Sequence, residues 1–217
     1  LFGDEVLVAP GDYATGALGV SAGVDMHGPT GGPAPVITTS GTLTVVGRLA
    51  DVAVRSAGTP VTLHALGERL DMRSTGGNPA VSLQPGALLR DSVAVSAGGS
   101  GALTWYANGR FDLRNVTAVN TSGYGLYMNR SAGPAAVGVV RNSVFRGTTK
   151  DILKQPDSGQ TLQVGHSAFA TVDGLLVDEG GNVSASPVFF GSPDDLRQVL
   201  GSPTIDAGAV DAAPGAL

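Results

Sequence analysis

The chain has 217 residues, a net charge of −5 and no basic block, which argues against a phosphate-tracking nucleic-acid interface. It has no cysteine, which excludes disulfides and thiolate zinc sites, and 42% hydrophobic residues, which excludes wholesale disorder. With 33 glycines, 13 prolines and only 5% aromatics, the composition describes a turn-rich β protein whose interior is built from small aliphatic side chains.

Residues 1–47 read as irregular N-terminal turns. Leu1 is an abrupt start without a signal-peptide pattern, as in a mature or trimmed chain, and no apolar run approaches a membrane span. His27 falls in "VDMHGPTGGP" (24–33), read as a Gly/Pro loop that also holds Asp25. It shares no metal-ligand spacing with His64 or His166, and no metal site is read from the sequence.

From residue 48 an internal repeat takes over. The segment "FDLRNVTAV" (111–119) recurs as "ALLRDSVAV" (87–95) and "GVVRNSVF" (138–145). Weaker copies are "RLADVAV" (48–54) and "LQVGHSAF" (162–169), and a degraded one is "RLDMRS" (69–74). Their alignment yields one polar column: Asp51, Asp71, Asp91, Asn115, Asn142 and His166. Such a column suits a tight bend between two strands, where Asn and Asp tolerate left-handed backbone and stacked side chains hydrogen-bond from turn to turn. Arg69 takes a slot held elsewhere by Leu or Val, so this turn carries a risk of register slip.

A second column follows about ten residues after the first, in "VTLH" (61), "VSLQ" (81), "LTWY" (103), "LYMN" (126), "ILKQ" (152) and "LLVD" (175). Its first and third positions alternate as inward-facing residues, broken by Lys154 in the third position. Each repeat therefore carries three short strands. The expected fold is all-β, a right-handed single-stranded parallel β-helix (β-solenoid) with three parallel sheets and about 6–8 turns. It forms a single domain over 1–217, with regular turns at 48–180 and a C-terminal capping segment at 181–217. In that segment Asp194 and Asp195 are expected to start a short helix.

The outward positions of the second block are the place to look for a ligand. His64, Gln84, Tyr106, Tyr127 and Asn129 make a polar and aromatic stripe on which tyrosines could stack on sugar rings while His and amides bind hydroxyls. The same residues also suit an ordinary solvated sheet face. Asp151 and Lys154 are the best catalytic candidates, Asp151 lying beside Lys150 and next to Tyr127 on the adjacent turn. A surface ion pair of little energetic value is the plainer reading. Arg90, Arg114 and Arg141 each precede a column residue and should form an outward arginine column, a grip for an anionic glycan or a solvated face.

The opening "GDEVLVAPGDY" (3–13) resembles the first strand of bacterial parallel β-helix proteins of the pectate-lyase-like superfamily. The closing "SPVFFGSPDDLRQVLGSPTIDAG" (186–208) is similar to the end of secreted β-helix proteins that often carry a cell-surface anchor domain. The resemblance implies fold rather than activity, since the same fold hosts lyases, hydrolases, epimerases and adhesins. It also implies an amphipathic helix before the opening strand. Leu1 leaves almost no room for one, so an open N-terminal edge is expected, which either packs against another chain or was covered by residues since removed.

Lyases of this superfamily often use Ca²⁺ and long loop walls; here the connections before the second block are short and no carboxylate cluster supports Ca²⁺, so no cofactor is read. The expected function is a secreted or cell-surface protein that binds a polysaccharide, glycan or other surface partner without catalysis. The alternatives are a lyase or hydrolase acting on an acidic polysaccharide and a structural, adhesin-like solenoid.

Overall fold

The computed structural model describes residues 3–106, 108–129, 136–155, 159–191, 193–205 and 207–209. They form a parallel β-solenoid of about seven turns, with no helix among the described residues. Each turn contributes strands to three ladders. The first runs through Asp4–Leu7, Val24–His27, Arg48–Ala50, Leu66–Glu68, the start of Leu88–Ser96, the start of Arg110–Asn120, Val137–Arg141, Thr161–Gly165 and Val177–Asp178. The second runs through Asp12–Thr15, Val36–Thr39, Ala53–Ser56, Asp71–Ser74, the ends of the same two long strands, and Val144–Gly147. The third holds eight strands, Leu18–Val20, Leu43–Val45, Val61–Leu63, Val81–Leu83, Gly101–Trp105, Tyr124–Met128, Lys150–Lys154 and Val172–Asp173. Because two strands run unbroken through the bend, the first and second ladders share one 14-stranded sheet.

Residues 3–47 pair in the same ladders as the rest. His27 ends a strand there and does not sit in a loop. Val6 and Tyr13 match the inward Met26 and Ile37 in register, yet they are 46% and 41% exposed, because no described residue covers that end.

The core is one column of Val, Leu, Ala and a few large residues, alternating with outward positions as period-two strands require. Trp105, Phe111 and Phe145 are wholly buried, and the Trp105 and Phe111 rings lie 4.8 Å apart.

The bend between the first and second ladders is held by left-handed residues. Asp51, Arg69, Asp91, Asn115, Asn142 and His166 all have φ between 49° and 56°. The expected column is therefore corrected in its second turn. Arg69 takes the bend, and Asp71 lies two residues on, in the strand Asp71–Ser74. Asp71 instead faces outward between Arg55 and Arg73, bonded to both. Arg69 is unusual in left-handed geometry. It is held there by both oxygens of Asp51, at 2.7 and 2.8 Å, one turn below. Asn115 likewise donates to Asp91 at 2.8 Å.

Two further columns of acceptors fasten the turns together. Beside the bend, Ser92, Ser143 and Ser167 are buried, and each hydroxyl donates to a carbonyl two residues back. The same oxygens accept from the preceding turn: Ser92 from Leu70 N–H, Ser143 from Val116 N–H, Ser167 from Ser143 N–H. At the end of the second ladder, Thr39, Ser56, Ser96 and Asn120 each accept the N–H two residues on. Thr39, Ser74, Ser96 and Asn120 also donate to a carbonyl of the turn below. Ser143→Ala leaves the buried Val116 N–H without an acceptor, and should lower unfolding stability by about 1–2 kcal/mol. A urea midpoint equal to that of the parent would contradict it.

The C-terminal segment is not helical at Asp194 and Asp195. Phe189–Gly191 and Asp195–Gln198 form an antiparallel hairpin. Asp195 accepts Arg197 N–H and the Arg197 guanidinium, contacts that hold its carboxyl down at about 2, and these bonds close the strand locally where a helix start was expected. The tail runs back along the rod. Arg73 donates to the carbonyls of Pro193 and Asp194, and Asn142 exchanges two hydrogen bonds with Ala209. Val95 and Val119 lie between those anchor points on outward positions of the second ladder, yet each is only 6% exposed.

Candidate functional site

The third ladder fixes which side chains face out. Val61, Val81, Leu103, Leu126 and Ile152 stack inward in register, as do Leu63, Leu83, Trp105, Met128 and Lys154. The residues after the second set continue the stacking by backbone bonds: Gln84 N–H to Leu63, Asn129 N–H to Trp105 and Gln155 N–H to Met128. His64, Gln84, Tyr106 and Asn129 thus leave the ladder at the same point on successive turns, with Tyr127 outward beside them.

The structure brings the tyrosines together. The Tyr106 and Tyr127 rings meet edge to face, with centroids 6.0 Å apart. Tyr124, absent from the sequence-derived stripe, stacks on Tyr127 at 5.5 Å. Asn129 donates to the Tyr127 hydroxyl at 2.7 Å, which leaves that hydroxyl's own proton to point elsewhere. Burial raises the pKa of Tyr106, and the neighbouring Tyr127 adds to the effect, so Tyr106 is a neutral phenol at neutral pH. Tyr127 has one face against Tyr124, so Tyr106, 42% exposed, and Tyr124 offer the surface on which a flat ligand would lie. Gln84 is turned onto the Ser82 hydroxyl at 3.0 Å, and His64 lies two turns from Tyr106.

Simple alternation hides Tyr124, because Gly125 and Leu126 are both buried and the two tyrosines emerge three residues apart. Gly125 makes this possible. A Cβ there would lie 2.7 Å from the Asp151 carbonyl oxygen and 2.9 Å from Arg146 N. The "YGLY" run itself was the available signal.

Asp151 and Lys154 do not form a surface pair. Asp151 is 1% exposed and its carboxylate accepts four donors: Gly147 N–H at 3.0 Å, Ala170 N–H at 2.6 Å, Thr171 N–H at 3.1 Å and Arg146 at 3.1 Å. Gly147 occupies the place of Ser56, Ser74, Ser96 and Asn120 in the second ladder and has no side chain to cap the turn. The Asp151 carboxylate does so instead. The carboxylate is thereby engaged by the fold. Lys154 keeps the inward register of Met128 and is 8% exposed, its stem filling the core.

Compared with protein families, with curated proteins and with solved structures, the chain matches none.

Among the described residues no group of three or more His, Asp or Glu is placed to hold a metal ion. Among the described residues no helix is long and apolar enough to cross a membrane. Arg90, Arg114 and Arg141 are neighbours in register, as expected, and carboxylates close both ends of the column. Glu68 lies 3.8 Å from Arg90, and Glu179 lies 3.0 Å from Arg141. Burial raises the pKa of Glu68, but the bond from Arg48 and the charges of Arg69, Arg48 and Arg90 outweigh it and bring it below the usual value. Asp112 pairs with Arg110. Of the two longer connections, 130–135 and 156–158 lie outside the described residues.

Proposed function

We propose that the protein is a non-catalytic binding solenoid of the pectate-lyase-like superfamily, secreted or displayed on a cell surface, that takes a glycan on the Tyr106–Tyr124–Tyr127 cluster. The observation that carries this reading is the cluster itself, three tyrosines packed on one outward face with Asn129 bonded to the central one. Pre-packed rings hold their geometry without further ordering cost, and they suit the apolar faces of sugar rings. Asn129 and Gln84 add amide groups at the margin for hydroxyls. The extracellular setting rests on the resemblance of segments 3–13 and 186–208. The engagement of Asp151 by four donors supports binding over turnover.

The test is a glycan array followed by titration of any hit. Tyr106→Ala and Tyr124→Ala should each weaken binding by about tenfold or more, corresponding to about 1.4 kcal/mol. Unchanged affinity in both variants would remove the cluster from the site. Release of reducing or unsaturated ends from the bound glycan would replace the binding reading with an enzymatic one.

A further inference from the structure

His27 sits where the first turn meets the second. Its Nε2 is 2.8 Å from Glu5 Oε1, on the first strand of the first ladder, and its Nδ1 is 2.8 Å from the carbonyl oxygen of Gly28. Both partners are acceptors. A neutral imidazole has one N–H and can satisfy only one of them, whereas the imidazolium has two and satisfies both. We propose that His27 is a pH-operated latch on the first turn: charged, it ties strand Asp4–Leu7 to the second turn, and on deprotonation it lets that strand go.

The charged groups around the ring are compatible with this. Glu5 faces it from the first turn and Asp25 from its own strand, while Asp51 follows on the next turn. The nearby cations are committed elsewhere, Arg48 to Asp25 and Glu68, and Arg69 to Asp51. The Gly28 carbonyl first, then Glu5, hold the ring's pKa above the ordinary histidine value of about 6.5, against the opposing effect of burial. A raised folded-state pKa gives a contribution that is complete below about pH 6.5 and is lost as pH rises through the folded pKa.

Glu5 is largely exposed, so the bond adds little to the stability of the whole rod. It acts on a strand that, among the described residues, pairs along only one side and whose four residues are all exposed, where local opening is easy. The latch therefore sets how firmly Asp4–Leu7 stays paired to Val24–His27.

Val8 N–H, which donates to the His27 carbonyl at 2.8 Å, reports on the first turn. Its hydrogen exchange, corrected for the chemical rate, is measured by NMR between pH 5.5 and 8.5 alongside the His27 ring titration, with Leu126 N–H as an interior control. The ring is expected to titrate above about 6.5. Val8 protection should fall by about fivefold or more through the same midpoint while Leu126 stays constant. Glu5→Gln should lower the ring pKa and shrink the fall, and His27→Gln should abolish the pH dependence. Protection that is constant through the titration, a fall that persists in His27→Gln, or a ring that titrates at or below its ordinary value would each overturn the proposal.

Discussion

Asp151→Ala should destabilise the solenoid by about 3–5 kcal/mol, the cost of removing one partner from a buried charged network. Three backbone N–H groups, on Gly147, Ala170 and Thr171, lose their acceptor, and the Arg146 guanidinium loses its counter-ion. Asp151→Asn keeps the shape but must turn an NH₂ toward donors on one side. One oxygen takes Gly147, and the other takes Arg146, Ala170 and Thr171. An amide can serve only one of these sets, so the asparagine variant should recover only part of the loss. Urea unfolding measures both. A midpoint shift of less than about 1 kcal/mol for the alanine variant would show that the carboxylate is not a keystone of this bend and would reopen a chemical role for it.

Asn142→Leu should cost about 2–4 kcal/mol. Unsatisfied groups at a bend account for about 1–3 kcal/mol. Two structural facts raise the figure. Asn142 has φ of 50°, a region that penalises a branched side chain by about 1–2 kcal/mol. Its amide also exchanges two hydrogen bonds with Ala209, so the tail loses an anchor together with the bend. The second loss has its own readout. Limited proteolysis should cut the tail of the variant faster than that of the parent while the rod is still folded. Equal tail cleavage would mean that Arg73 alone holds the segment down.

The repeat was legible in the sequence because the solenoid imposes one chemistry at one place in every turn. Asp51, Asp91, Asn115, Asn142 and His166 stood out for that reason. Arg69 did not, since arginine has no intrinsic preference for left-handed geometry; its place is set by Asp51 on the turn below, a partner that local sequence cannot supply. The register was recoverable from another signal. Ser56, Ser74, Ser96 and Asn120 each stand five residues after a bend residue, and counting back from Ser74 arrives at Arg69.

The candidate site was half legible. Alternation delivered Tyr106, Tyr127 and Asn129 to one face, but Tyr124 needed the irregularity at Gly125, which breaks alternation. The capping role of Asp151 was hidden because its demand comes from a missing side chain at Gly147, four residues away and on another ladder. The hairpin at Phe189–Gln198 was hidden by an acidic pair that also suits a helix start, and Asp195 closes on Arg197 within its own strand.

The bend residues stand 18, 22, 24, 27 and 24 positions apart, whereas Ser92, Ser143 and Ser167, whose oxygens accept from the preceding turn, keep the same place directly after the bend. Each turn thus binds its neighbours through backbone ladders, reinforced in some turns by a hydroxyl, and is indifferent to the length of loop that separates them. For a lineage of such proteins, rod length becomes a quantity that gene duplication can change in whole units. A copied turn that carries its own hydroxyls is accepted at either junction, and it is the C-terminal tail, bonded back to Arg73 and Asn142, that has to register that the rod has grown.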